Sequence, residues 1–264
     1  MKRLLLLLIV VLSLAFFPRL AKAEGEITVT SDTWQNKFPQ EITFKVEAKG
    51  QAEIEKITLF YTAGKDNATN YAYPASFTPG QSVTAEFSLK TNGRSFIPPG
   101  TDIDYYYSIQ DKSGKELKTE RTSITYMDTR FEWQKMENET VAVYWHGPVQ
   151  NQAQVILQAA TKTVAKMGKV EGVTPTHPFK IFVYNSKPEI DVALPFQSET
   201  TRRELITQGQ AWAEYDLLLM IGTDPGVQGI AEHEVTHWVT HQATDNAFSP
   251  VPAWLNEGLS VWAE

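Results

Sequence analysis

Between residues 27 and 128 apolar side chains recur at alternate positions in short runs. The runs cover residues 27–30, 41–47, 54–61, 83–89, 103–110 and 123–127, and each alternates or clusters β-branched and aromatic residues, the mark of half-buried strands. Turn chemistry separates them at Lys49-Gly50, Pro79-Gly80, Asn92-Gly93, Pro98-Pro99-Gly100 and Lys112-Ser113-Gly114. That rhythm predicts an all-β sandwich over residues 24–128. Past Asp128 the pattern changes. Strands are predicted at residues 141–145, 179–184 and 217–221, with a further one around residues 212–214. Residues 150–167 place apolar or small side chains at Val155, Ala159, Val164 and Met167 and predict a helix stopped by Gly168. A second helix follows Asp224, a capping residue, and Pro225, which fits a first turn; Val227, Ala231, Val235, Trp238 and Gln242 mark one stripe along it. Strands alternating with helices make residues 129–264 a second domain of α+β composition.

Composition agrees with two globular domains: 264 residues, 42% hydrophobic and 11% aromatic. The first residues belong to neither. Lys2 and Arg3 precede an apolar run over residues 4–17, and Ala21-Lys22-Ala23 supplies the small-x-small pattern of a signal peptidase site, so residues 1–23 are expected to be a signal peptide. The run is shorter than the roughly 20 residues of a membrane-spanning helix, and no membrane span is expected apart from it. The expected destination is therefore extracellular, periplasmic or cell-surface. Losing Lys2, Arg3, Arg19 and Lys22 would move the formal charge from −7 to −11, which argues against nucleic acid or anionic lipid as a partner. With no cysteine, the chain has neither disulfides nor cysteine-ligated zinc, and thiol-protease chemistry is excluded.

The residues that carry chemistry lie at 233–237, His-Glu-Val-Thr-His. On a helix, side chains four apart sit one turn apart on one face, about 6 Å along the axis, so His233 and His237 can close on one ion. Zinc takes nitrogen ligands at about 2.0–2.1 Å, and a catalytic zinc keeps one position for water. Glu234 would lie beside that water as its base. This is the H-E-x-x-H arrangement of metallopeptidases. Past Pro250 and Pro252 the chain reads Trp254-Leu255-Asn256-Glu257-Gly258-Leu259, which would bring a carboxylate back to the ion from a crossing helix.

Together these two segments resemble the gluzincins, which include the thermolysin and aminopeptidase N families and in which an Asn-Glu pair on the second helix supplies the third ligand. The Trp-Leu-Asn-Glu-Gly wording is closer to aminopeptidase N, and the nineteen residues between His237 and Glu257 match thermolysin. The whole layout most resembles exported bacterial peptidase MA-like proteins, over about residues 129–264. The resemblance implies one zinc ion held by His233, His237 and Glu257, with Glu234 as general base and then proton donor to the leaving amine. It implies an edge strand over Gly209, Gln210, Ala211 and Trp212 that holds extended peptide, although a Trp there also suits a core. Glu264, seven residues beyond Glu257 on the same face, would either accept the outer N–H of a liganding histidine or stand solvated at the helix end. His241 is assigned to the cleft rim or to a supporting role, because the three-histidine variant of the motif would need its last histidine at Ala243. Around residues 97–107, ending in Tyr105-Tyr106-Tyr107, the first domain resembles a fibronectin type III or Ig-like domain, where a tyrosine hydroxyl pins the preceding corner. In that reading Tyr105 and Tyr107 face the core.

One departure stands out. Gluzincins place a Tyr or His after the third ligand to stabilise the oxyanion. Here either Tyr144, His146 or Tyr215 takes that part, or the catalytic domain is C-terminally incomplete; the second is preferred, because a zinc-bearing helix needs more protein over its other face. The fold class expected is thus multidomain, an N-terminal β-sandwich and a partial α+β gluzincin (zincin-like) domain. The activity expected is a zinc metallopeptidase acting on a peptide or protein substrate, and the absence of glutamate from residues 209–213 points towards endopeptidase action. The competing readings are a non-catalytic extracellular binding protein with a structural or degenerate zinc site, and a zinc hydrolase of another bond.

Overall fold

The computed structural model describes residues 26–65, 69–174, 178–195, 209–244 and 251–264. The signal-peptide reading of residues 1–23 lies outside them. No helix among the described residues is long and apolar enough to cross a membrane.

The first region is one antiparallel sheet of seven strands, β1 (Thr28–Lys37), β2 (Glu41–Ala63), β3 (Asn70–Ala72), β4 (Gly80–Lys90), β5 (Asp102–Asp111), β6 (Glu116–Lys118) and β7 (Thr122–Thr125). Lys49-Gly50, expected to be a turn, instead lies inside β2. The first half of β2 pairs with β1 and β4 and the second with β5 and β3, and the register slips between Lys49 and Ile54. A Cβ on Gly50 would stand 3.0 Å from the Ala52 carbonyl oxygen, so glycine serves here to bend a strand that changes partners, not to reverse the chain. Alternation decides the core: Val83, Ala85, Phe87 and Leu89 of β4 and Ile103, Tyr105, Tyr107 and Ile109 of β5 all point inward.

Tyr105 and Tyr107 are buried as their alternation requires, but neither hydroxyl pins a backbone corner. Both donate to the Asp32 carboxylate on β1, at 3.0 and 3.1 Å. Burial and that carboxylate push both phenols well above their ordinary value. Tyr106 turns to the outer face and stacks on Phe60.

The second region is a five-stranded sheet in the order β11, β12, β10, β9, β8, built from β8 (Gln134–Glu137), β9 (Val141–Trp145), β10 (Phe179–Tyr184), β11 (Gly209–Trp212) and β12 (Leu217–Ile221). The three central strands run parallel and the two edges antiparallel. Helix α1 (Gln150–Glu171) joins β9 to β10, and the short α2 (Lys187–Asp191) follows β10. Helix α3 (Val227–Thr244) lies against α1, and α4 (Ala253–Ala263) crosses α3. Helix α1 does not stop at Gly168 as the sequence suggested. Gly168 is buried inside it, where a Cβ would meet the Val173 carbonyl oxygen at 2.7 Å, and the helix ends at Gly172, whose φ of 74° and N–H to the Gly168 carbonyl make the left-handed cap.

Both faces of this sheet are covered, which is why its central strands read as almost unbroken apolar runs. One face packs under α1 and α3 through residues such as Val143, Ile181 and Met220. The other, with Phe182, Tyr184, Trp212 and Leu219, meets Phe38 and Phe96 of the first region. The approach is close. A Cβ on Gly100, whose φ is 103°, would fall 2.4 Å from the Phe182 ring. The molecule is therefore layered as helices, mixed sheet, then β region, and the edge strand β11 runs along a cleft between the last layer and the helices.

Candidate metal centre and substrate cleft

Helix α3 is placed by its apolar stripe. Val227, Ala231, Val235, Trp238 and Val239 are buried against α1 and the sheet, and Asp224 starts the helix by accepting the Gly226 N–H at 2.7 Å. Trp238 stacks on Phe179 and donates its indole N–H to Asp216 at 2.7 Å. Asp216 also takes Lys65 from the β region at 2.5 Å, so the helix that carries the motif is tied to both layers. His233, Glu234 and His237 lie off the centre of the buried stripe, half-exposed, on the side that turns to α4 and the cleft.

Three groups converge there. His233 Nε2 lies 3.5 Å from one oxygen of Glu257 and His237 Nε2 lies 3.7 Å from the other. One ligand atom from each residue falls within 4.8 Å of the other two. Tetrahedral ligands at about 2.0–2.1 Å from a zinc ion stand about 3.4 Å apart, a spacing that the two imidazole–carboxylate distances approach. The outer nitrogens are already engaged by α4. His233 Nδ1 faces Glu264 Oε1 at 2.6 Å, and His237 Nδ1 faces Ser260 Oγ at 3.1 Å.

Those partners fix the protons. A carboxylate such as Glu264 accepts, so His233 carries its proton on Nδ1. Ser260 donates its own hydroxyl hydrogen to the Asn256 carbonyl at 3.1 Å, which leaves its oxygen to accept from His237 Nδ1. Both Nε2 lone pairs then point, together with the Glu257 carboxylate, at one space. Three acceptors facing each other without a donor repel, and a bound cation relieves that; the chemistry of the donor set fits zinc, with imidazole and carboxylate ligands.

Glu234 sits beside them. Burial pushes its carboxyl above the ordinary value, opposed by the two imidazoles and by the Ala211 N–H, which donates to it. That bond comes from the edge strand, and a Cβ on Gly209 would press on Glu234 Cγ at 3.1 Å. The edge strand and Glu234 are thus in contact.

The cleft over these groups has a volume of about 1240 Å³. Gly209, Gln210 and Ala211 line it as the sequence suggested. Trp212 does not: strand alternation turns its indole into the interlayer core, where it meets Phe96 at 5.9 Å between ring centres. His241 stands exposed on the cleft wall, one turn past His237, which is the rim position. Of the three upstream oxyanion candidates only Tyr215 lines the cleft. Tyr144 stacks on Phe182 in the interlayer face, and His146 is buried against Phe131 with Asn185 and Glu189 as partners. Ser260 and the Ala211 N–H had no part in the sequence reading. The spacing 257, 260, 264 puts all three side chains on one helical face and could have pointed to Ser260; nothing local pointed to Ala211.

The Peptidase MA superfamily model matches residues 159–264, from the middle of α1 through α4, and so spans all of these side chains. No curated protein matches the chain. Among solved structures, catalytically inactive OgpA from Akkermansia muciniphila, in complex with an O-glycopeptide substrate, is similar at 7% identity over 40% of this chain and 30% of its own, with a TM-score of 0.31. A polysaccharide deacetylase from Bacillus cereus is similar at 11% identity over 64% of this chain and 53% of its own, with a TM-score of 0.26. The chain thus spans about a third and about half the length of these two structures. What the family match supports is that residues 159–264 form a peptidase MA-like region.

Proposed function

We propose that the chain is an exported zinc metallopeptidase of gluzincin type. The observation that carries this reading is the convergence of His233 Nε2, His237 Nε2 and Glu257 beside the half-buried Glu234. Export rests on the basic, apolar and Ala-Lys-Ala pattern of residues 1–23. His233, His237 and Glu257 would hold one ion. When bound, zinc polarises a peptide carbonyl and lowers the pKa of a water towards about 7.

The rest falls to the protein. Glu234 takes a proton from the attacking water on its carboxylate and returns it to the departing amine. Its place beside both imidazoles and under the edge strand suits that exchange. The Ala211 N–H orients the carboxylate. Ser260 and Glu264 keep both imidazoles in the tautomer that presents Nε2. The edge of β11 away from β12 offers backbone groups to an extended peptide.

The test is zinc content and hydrolysis of a mixed peptide library, for the wild type beside Glu234→Gln. The variant should keep its zinc and lose about 10²–10⁴-fold in rate, the range for a removed general base. A wild type that binds no zinc, or a variant that hydrolyses at full rate, would overturn the assignment. Zinc without peptide hydrolysis in the wild type would favour a binding protein instead.

A further inference from the structure

The cleft has a wall that the peptidase-like region does not supply. Residues of the β region, among them Tyr61, Lys90, Arg94 and Ile97, line it opposite Glu234, His237 and Glu257. Three of the residues on that wall are cations, and two are neutralised within the fold. Lys65 pairs with Asp216 at 2.5 Å and Lys90 with Glu41 at 2.5 Å. Arg94 is different: it is exposed to the cleft and has no ion pair or hydrogen bond among the described residues.

Arg94 is also held in place. It sits in the tight turn at Gly93–Ser95, closed by the Ser95 N–H to the Asn92 carbonyl and the Ile97 N–H to the Thr91 carbonyl. Thr91 is buried, donates to the Pro39 carbonyl and accepts the Tyr126 hydroxyl. On the other side Phe96 packs on Trp212, the last residue of the edge strand. The guanidinium is therefore presented from a fixed turn beside Trp212, the residue after Ala211, whose N–H reaches Glu234.

We propose that Arg94 is a specificity-determining residue that binds a carboxylate of the peptide. This rests on the peptidase reading given above. A peptide extended along β11 would carry its side chains past the turn that bears Arg94, away from the scissile bond. A guanidinium fork accepts a carboxylate through two parallel hydrogen bonds, and its preorganised turn reduces the ordering cost. Glu214 also lines the cleft, so the preference is positional: acidic residues elsewhere in the peptide gain nothing. The carboxylate is either an acidic side chain or a free C-terminus.

The experiment measures binding of fluorescent peptides to the full-length, zinc-loaded Glu234→Gln protein by polarisation, alongside cleavage by the wild type. A Glu is scanned through positions two to six on each side of the scissile bond against Gln, and each peptide is made with a free and an amidated C-terminus. Glu at one or two positions should tighten binding about 5–10-fold over Gln, as one charge-assisted contact would. Adding Arg94→Gln should remove that gain, and Arg94→Lys should retain part of it. A gain that follows only the free C-terminus would assign the carboxylate to the terminus. Equal binding of Glu and Gln peptides with either terminus, or a preference that survives Arg94→Gln, overturns the proposal. Positional preference in binding with no cleavage by the wild type would sink the peptidase reading and leave the Arg94 site standing.

Discussion

Helices α3 and α4 meet at the candidate metal centre but are held by different forces. Helix α3 buries five apolar side chains against α1 and the sheet, and its Trp238 is locked by Phe179 and Asp216. Helix α4 buries only Ser260 and Ala263, while Trp254 is 76% exposed and Val261 and Trp262 are exposed too. What joins α4 to α3 is largely polar: Glu257 to both imidazoles, Ser260 to His237 and Glu264 to His233. One helix is a fixed platform, positioned by packing that exists without any ligand. The other carries the proposed third ligand and is held by those polar contacts, by Leu259 and Ala263 against the core and by the Lys166 ammonium 4.1 Å from the Trp262 ring, so occupancy of the site should be felt mainly by α4.

The sharpest way to break this contrast is to remove the metal or its third ligand. Glu257→Gln should weaken zinc binding by more than about 100-fold, beyond the ~10–100-fold typical of an outer partner, and abolish hydrolysis. Stripping zinc with a chelator should raise amide hydrogen exchange in α4 far more than in α3, since a ligand that binds only the folded site stabilises what it holds together. Equal changes in both helices would remove the distinction.

A smaller effect is expected from the outer partners. Ser260→Ala and Glu264→Gln should each lower zinc affinity by about 10–100-fold, as measured by competition with a chelating dye. The Glu264 change should be the larger, because a carboxylate acceptor binds an N–H more strongly than a hydroxyl does. If Ser260→Ala leaves zinc affinity untouched, the tautomer argument for His237 fails.

The smallest effect probes the platform. Lys65→Met removes the cross-layer cation from Asp216, but the lysine is about a third exposed, so the loss should be only about 1 kcal/mol in a denaturant titration. Zinc affinity should not change. A loss of zinc affinity there would mean that α3 is not the independent platform its burial implies.

Much of this was legible from local pattern. The central strands at 141–145, 179–184 and 217–221 follow from their apolar runs, and the stripe of α3 follows from helical spacing. His233 and His237 could be paired because helical period fixes which side chains share a face, and Glu234 and Glu257 were added by the motif and its resemblance to the gluzincins. Lys49-Gly50 and Gly168 were misleading for one reason: glycine marks a turn or a helix end, but it also marks a place where backbone comes close, and the sequence does not distinguish these. At Gly50 the strand bends between partners, and at Gly168 the carbonyl of Val173 fills the space a side chain would need.

By itself, then, the sequence marked His233, Glu234 and His237 and the helix that bears them, because these depend on contacts within a turn of helix, while Glu257 was reached through the resemblance of its Asn-Glu segment. Only the tertiary structure decided which nitrogen of each histidine is free, that the Ala211 N–H reaches Glu234, that Trp212 is core, and that the β region lines the cleft with Arg94. Each of those joins residues more than twenty apart in the chain, from different elements or layers. Their meeting depends on crossing angle and layer packing, which no local period encodes.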